Sequence, residues 1–467
     1  MQFRNTRIQI VGILIGAFFL LGLEYITQPP LDHHSWRQTL TITIARNFLD
    51  NPNFFFPRMD IGGKTDGIMA CEFPIFNYLL AGIFKLFGTH DWYGRLLNWS
   101  VSCAGLWFFY DIVRRCSNKR TALIALVAMM SSITFEYARK TMPDTFALSL
   151  VTMGVWFLWN YLEKQNPWHL AAGFVLATCG ILSKIPFLIL LTFLIIPFFN
   201  KENEFKPKRN VVLAMSVTAA CVGWWYYYWM PYLLETYGNQ LIWPVSLKDG
   251  AKTVLIDRAN DSWRMLMEQP FHYRIPFLLS VMGLGLLWTG ASARMKWFTA
   301  AYIALFFLFT LKTGIVFPTH EYYGIPLIPL LALLFGYFFD HLNWPSTRLW
   351  VVVVLLLAFG FYTNRRQAYN SFIREQAYVT ALPAIMDRYT QPTDKIMVNT
   401  GQFNPFLMYW AHRKGWAVNA DVPGKTDWMR DFKAEGLKYI LLDRRVSNDP
   451  LPYELLYEDP NFRLYKP

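Results

Sequence analysis

Between Pro29 and Phe87 the chain gathers Asp32, His33, His34, Arg37, Arg58, Asp60, Lys64, Asp66 and Glu72, although apolar runs flank the stretch on both sides. A spacer between membrane spans needs no such chemistry. Asp32 and Glu72 border apolar or amphipathic segments, where a carboxylate suits the removal of a proton from an acceptor, and neighbouring cations suit the neutralising of a departing phosphate. The plainer alternative makes Asp32 a helix cap and Glu72 a solvated loop acid. Asp60 and Asp66 flank Gly62-Gly63-Lys64 and read first as acids of a mobile turn. His33-His34 leaves a divalent metal ion open, but adjacent histidines lack the i, i+4 spacing of a strong zinc motif, and polar contact or packing is the commoner role.

Further along, Arg139-Lys140 precede Pro143-Asp144 at a helix start, and Lys184-Ile185-Pro186 marks another boundary. Cations there either hold phosphate or snorkel to water, and Asp144 either caps its helix or joins a site. His320-Glu321-Tyr322-Tyr323 stands above Pro326 and Pro329; tyrosines at an interface are ordinary belt residues, but a His and a Glu beside them suit the rim of a cavity.

These residues need elements to position them, and the composition says which solvent those elements meet. Of 467 residues 54% are hydrophobic and 16% charged, where a soluble chain carries roughly a quarter charged. Lipid is therefore the expected main solvent. The net charge of +12 lies largely in short loops between apolar runs, where it sets membrane orientation, so nucleic acid is not an expected partner. Cys71, Cys103, Cys116, Cys179 and Cys221 show no metal or redox spacing.

Apolar runs predict about 11 transmembrane helices. Ile8 to Ile26 is read as a retained first helix with a cytoplasmic N-terminus, and Arg114-Arg115, Lys119-Arg120, Lys201 to Arg209, Arg294, Lys296 and Arg348 mark cytoplasmic loops. The long segments then fall outside. This gives a transmembrane domain over 1–363, with a first external loop at 27–91 and a second at 231–273, and a small external α/β domain over 364–467. In the first loop Trp36, Leu40, Ile44 and Phe48 recur every four residues, as in an amphipathic helix lying along a membrane surface. In the tail, 395–398 and 439–442 read as strands and 405–413 as helix.

No Walker or Rossmann signature occurs. An external enzyme without a nucleotide would draw its activated substrate from the membrane, and a polyprenyl-phosphate sugar meets that need. The alternative is a transporter or flippase of lipid-linked sugars, which would favour ionisable groups near the bilayer midplane over charges at span ends.

Asp32-His33-His34-Ser35-Trp36-Arg37-Gln38, Ile44-Ala45-Arg46-Asn47-Phe48, Glu72-Phe73-Pro74, Met142-Pro143-Asp144, Ser183-Lys184-Ile185-Pro186 and His320-Glu321-Tyr322-Tyr323 together resemble bacterial family-39-like membrane glycosyltransferases of the GT-C class. These are relatives of protein O-mannosyltransferases and of the aminoarabinose transferase that modifies lipid A. The resemblance implies a GT-C fold, a polyprenyl-phosphate-sugar donor, hexosyl or pentosyl transfer with inversion to a glycan, lipid or protein, and a bacterial inner membrane with the site on the periplasmic side. Asp32 matches the acid of the first loop, and Glu72 the acid of a Glu-Lys-Pro motif whose lysine is Phe73 here. Lys64, Arg58 or Lys184 would then supply the phosphate contact. His33, His34, Arg37, Arg139, Asp144, His320, Glu321, Tyr322 and Tyr323 complete the implied substrate contacts.

Overall fold

The computed structural model describes residues 2–62, 65–239, 241, 244–342, 344–368, 371–401 and 404–467. Its first helices are α1 (Gln2–Gly22), α2 (Ser35–Asp50), α3 (Ile75–Phe87), α4 (Trp92–Cys116), α5 (Lys119–Met130), α6 (Ile133–Ala138), α7 (Pro143–Lys164) and α8 (Pro167–Ser183). Two compact units share the chain: one takes Met1–Thr27, Gly94–Trp225 and Trp243–Ala368, the other Gln28–Tyr93, Tyr226–Ile242 and Tyr369–Pro467.

The first unit is helical. Among the described residues five helices are by length and apolarity able to cross a membrane (Trp92–Cys116, Pro143–Lys164, Phe205–Tyr237, Ala293–Thr313 and Glu321–His341), and a sixth if Ala259–Phe271 and Arg274–Gly290, bent by 91°, form one span. Several other apolar helices are shorter than a span, and the sequence itself breaks them. Asn118 caps α5 by accepting from the Arg120 and Thr121 amides, and Ser131-Ser132 ends it before α6. Pro186 cannot continue α8, so Lys184 turns to an extended φ of −160° and a 3-10 helix, Ile185–Leu194, follows. His320 is likewise extended, between Val316–Thr319 and a 3-10 stretch, Glu321–Leu327, that contains Pro326. Two of the residues picked for chemistry therefore stand at helix breaks. Elsewhere packing is close: a Cβ on Gly154 of α7 would lie 2.6 Å from the Ala177 nitrogen of α8.

The second unit joins α2 and α3 to a five-stranded sheet of β1 (Lys395–Val398), β2 (Gly415–Ala417), β3 (Leu437–Asp443), β4 (Glu454–Glu458) and β5 (Phe462–Lys466), ordered β2-β1-β3-β5-β4. β1 pairs in parallel with β2 and β3, while β5 pairs antiparallel with β3 and β4. Alternation of side chains across the strands gives the sheet two apolar faces. Ile396, Val398, Leu441, Phe462 and Leu464 pack in one cluster with Leu40, Ile44 and Phe48 of α2 and Leu80 and Phe84 of α3. Met397, Ile440, Leu442 and Tyr465 pack on the other side with Met429 and Trp416. The first loop also reaches the sheet edge: Ile61 bridges Gly415 in parallel, with the Gly62 amide donating to the Gly415 carbonyl and the Gly415 amide to the Asp60 carbonyl, both at 2.9 Å. A Cβ on Gly415 would lie 1.9 Å from the Ile396 carbonyl oxygen, so only glycine fits this junction.

The helical spacing of Trp36, Leu40, Ile44 and Phe48 predicts a helix on a membrane surface, and α2 differs from that. Its polar residues Arg37, Gln38, Thr39, Thr41 and Thr43 are buried as well. Backbone carbonyls satisfy two of the hydroxyls: Thr39 donates to the Trp36 carbonyl at 3.0 Å and Thr41 to the Arg37 carbonyl at 2.9 Å, and Asn77 of α3 donates to the Thr41 carbonyl at 2.9 Å, while the buried Thr43 hydroxyl finds no hydrogen-bond partner among the described residues.

Candidate active site

In the second unit the site candidates gather at the start of α2. His34 adopts a left-handed φ of 62° immediately before the helix, a conformation that costs a non-glycine residue energy. This bend sets the His33 and His34 ring centroids 4.0 Å apart. In the first turn of α2, Gln38 Nε2 donates to Asp32 Oδ1 at 2.7 Å, which fixes the carboxylate in orientation. One residue earlier, Arg37 donates from one terminal nitrogen to both Glu72 oxygens at 2.9 Å, and the two side chains are 5% and 10% exposed. A buried pair of this kind is held rigidly, since neither charge is stable there alone. Both Glu72 oxygens are thus engaged by arginine. Arg58 is occupied elsewhere, in an ion pair with Asp66, and Lys64 lies outside the described residues.

Asp60 is drawn to α2 as well. It accepts from Asn47 Nδ2 at 3.0 Å, and burial pushes its carboxyl from the usual 3.8 up to about 6, against the pull of Asn47, Lys414 and Arg46.

In the first unit the remaining candidates form a charged aromatic cluster. Lys184 Nζ is 3.4 Å from Asp144 Oδ1 and stands 5.5 and 5.7 Å from the Tyr322 and Tyr323 ring centroids. The His320 ring lies 5.5 Å from Tyr322 and 6.4 Å from Tyr323. Tyr137 adds a ring 5.7 Å from Tyr322 and carries Lys140 Nζ over its face at 5.1 Å. Lys140 in turn pairs with Glu136 at 2.9 Å, the two being 2% and 11% exposed. Arg139 is buried with its guanidinium 4.3 Å over Phe135 and 5.2 Å over Tyr25, while Arg95 donates to the Arg139 carbonyl at 3.3 Å. The Glu321 charge acts on Tyr137 and His272.

Glu136, Arg95 and Tyr137 are not among the sequence candidates, whereas Lys140 is, with Arg139, as a phosphate contact. The i, i+4 spacing of Glu136 and Lys140 was the available signal, and nothing in it tells a buried pair from a surface one. Chemically, a buried cluster rich in lysine and arginine suits an anion, and its tyrosine rings suit the face of a sugar.

The fold has solved counterparts. ArnT from Cupriavidus metallidurans superposes with a TM-score of 0.64 at 11% identity, covering 99% of this chain and 98% of that one. Its structure bound to undecaprenyl phosphate gives 0.64 at 12% identity, with 98% and 97% covered. The Archaeoglobus fulgidus oligosaccharyltransferase superposes at 0.59 with 11% identity, over 93% of this chain and 69% of that one. This is the GT-C fold. The family model of dolichyl-phosphate-mannose-protein mannosyltransferases also matches, at residues 72–227, which places Glu72, Arg139, Asp144 and Lys184 inside the matched stretch of this GT-C chain. No curated protein matches it by sequence.

Proposed function

We propose that the protein is an integral membrane glycosyltransferase that moves one sugar, hexosyl or pentosyl, from a polyprenyl-phosphate carrier to a glycan, lipid or protein acceptor outside the cytoplasm. The observation that carries this reading is the near-complete superposition, in both directions, on ArnT, which also has a structure with undecaprenyl phosphate. About eleven spans then hold the first unit in the inner membrane of a bacterium, with the site on the periplasmic side.

Asp32 is the general base. It takes the acceptor hydroxyl proton as the oxygen attacks the anomeric carbon, the bond to the carrier phosphate breaks, and a single displacement inverts that carbon. Glu72, locked by Arg37, orients the acceptor or the sugar. The departing phosphate gains charge as its bond to the sugar breaks, and fixed cations stabilise it at that moment; Arg139, Lys184 and Lys140 are of the right type and already desolvated. His33, His34, His320, Glu321, Tyr322, Tyr323 and Asp144 complete the substrate contacts.

The test is transfer by the purified protein in lipid nanodiscs from a panel of polyprenyl-phosphate sugars, with varied acceptors and with or without chelator. One donor is expected to lose its sugar, and Asp32→Asn to slow that loss by roughly 10²–10⁴-fold. Donors left intact by a folded sample overturn the reading, and full activity in Asp32→Asn removes the base assignment.

A further inference from the structure

Arg46 and Asn47, near the far end of α2, belong to no part of the site described above, yet they tie this helix to the tail of the chain. Arg46 places one terminal nitrogen 2.9 Å from Asp91 Oδ1 and 3.2 Å from the Tyr409 hydroxyl, with its guanidinium carbon 4.4 Å from the centre of the Tyr409 ring. Tyr409 is 2% exposed and lies on the tail helix Phe406–Ala411. Asn47 donates to Asp60 at 3.0 Å and accepts from Lys414 Nζ at 2.6 Å, and the residue after Lys414 is the Gly415 that joins the first loop to the sheet edge. Both ends of α2 are therefore fastened, one to Glu72 and Asp32, the other to the tail.

An α-helix passes a displacement along its axis with little loss. Nine residues separate Arg37 from Arg46, and Gln38 from Asn47, or about 13 Å at 1.5 Å per residue. A slip of one residue would turn Gln38 by about 100° from its bond to Asp32. The residue type matters as well. A planar guanidinium stacks on a tyrosine ring while one of its nitrogens reaches a carboxylate and a hydroxyl, and an ammonium ion keeps the charge and its attraction to the carboxylate and the ring but not the full arrangement.

We infer that Arg46, held by Tyr409 and Asp91, is a positioning residue for the transfer reaction: it sets the depth and rotation at which α2 presents Gln38 to Asp32 and Arg37 to Glu72. The inference rests on the glycosyltransferase reading for its kinetic consequence, while its structural half is independent. The tail domain thereby acts on the rate through one helix, without touching substrate.

The experiment compares full-length Arg46→Met, Arg46→Lys, Tyr409→Phe and Tyr409→Leu with the parent protein in nanodiscs, by hydrogen exchange over α2 and by transfer kinetics. Exchange at the amides of residues 39–43 is expected to rise in Arg46→Met and Tyr409→Leu, and much less in Arg46→Lys and Tyr409→Phe, which keep the charge or the ring. In the same order kcat falls roughly ten- to a hundredfold while the donor KM moves less than twofold, because geometry is lost and binding is not. Unchanged exchange in both Arg46→Met and Tyr409→Leu overturns the inference, as does a kcat loss equal in all four variants. A parent protein that transfers nothing while α2 still loosens in the graded order supports the positioning contact and rejects the glycosyltransferase reading, so the two failures are distinguishable.

Discussion

The Arg37 and Glu72 pair is asymmetric in its energetics. Both side chains are nearly excluded from water, so removing one partner leaves a stranded charge, a change that costs about 3–5 kcal/mol, whereas replacing both by apolar groups is often neutral. Arg37→Met and Glu72→Leu are each expected to lower the unfolding midpoint strongly, and the double variant to regain most of the loss. A double variant as unstable as the sum of the singles would mean that the pair is not a closed unit. Asp60 supplies a second residue-scale expectation. Its folded carboxyl titrates near pH 6, against 3.8 in an open chain. Between these values the folded state holds the proton and the unfolded state has released it, so stability falls as pH rises through that window and is level above it. The drop is about 2 kcal/mol, and Asp60→Asn is expected to abolish it in denaturant titrations at pH 4 and 7. An unchanged slope in that variant would assign the effect to another group. Residue types in the sequence point to Asp32, Glu72 and Arg37, but not to who holds whom. That Glu72 is locked by Arg37 while Asp32 is steered by Gln38 depends on the left-handed bend at His34, and a histidine in a string of letters gives no sign of its φ.

Single elements show a similar division. β1 was legible as a short apolar run, and the core of β3 likewise, because strands alternate their faces every second residue. The burial of α2 was not, since Thr39 and Thr41 look solvated until the Trp36 and Arg37 carbonyls that accept from them are seen. The tip of the first loop carries a further expectation. Trp229 donates its indole N–H to the Phe55 carbonyl at 2.8 Å, and its ring packs on Phe55, Phe56 and Tyr232 at 6.0, 5.4 and 5.2 Å. Trp229 belongs to the Phe205–Tyr237 helix, whose preceding Tyr227 and Tyr228 are 83% and 63% exposed. Aromatic residues at the end of a span favour the headgroup region, so Phe55 is expected at that depth. A spin label on Phe55→Cys in a background without the half-buried Cys116, Cys179 and Cys221 is expected to collide with oxygen more often than with a water-soluble nickel chelate. The opposite ratio would put this loop in bulk water.

At the scale of the whole molecule, hydropathy identifies the membrane unit, but apolar runs and span-length helices do not correspond one to one, for a physical reason. Pro186 and Ser131-Ser132 split apolar stretches into pieces shorter than a bilayer, and a hydropathy window does not see a helix break that falls inside an apolar run. Among the described residues five helices pass on length and apolarity, with several shorter apolar ones beside them. The joining of the first loop to the tail was equally hidden, because Ile61 meets Gly415 across more than three hundred residues of sequence, and periodicity is blind to pairing at that range. The parity of the spans does not depend on that count. The positive-inside rule predicts that the positively charged loops face the cytoplasm, and since Gln28–Tyr93 and the tail form one compact unit, both are expected on the same face of the membrane whatever the number of spans between them. Alkaline phosphatase, active only outside the cytoplasm, is therefore expected to be active when fused after Pro467 and inactive when fused after Ser117 or Lys201. An inactive C-terminal fusion beside an active one in the first loop would separate what the fold joins, and with it would go the role of the tail in holding α2.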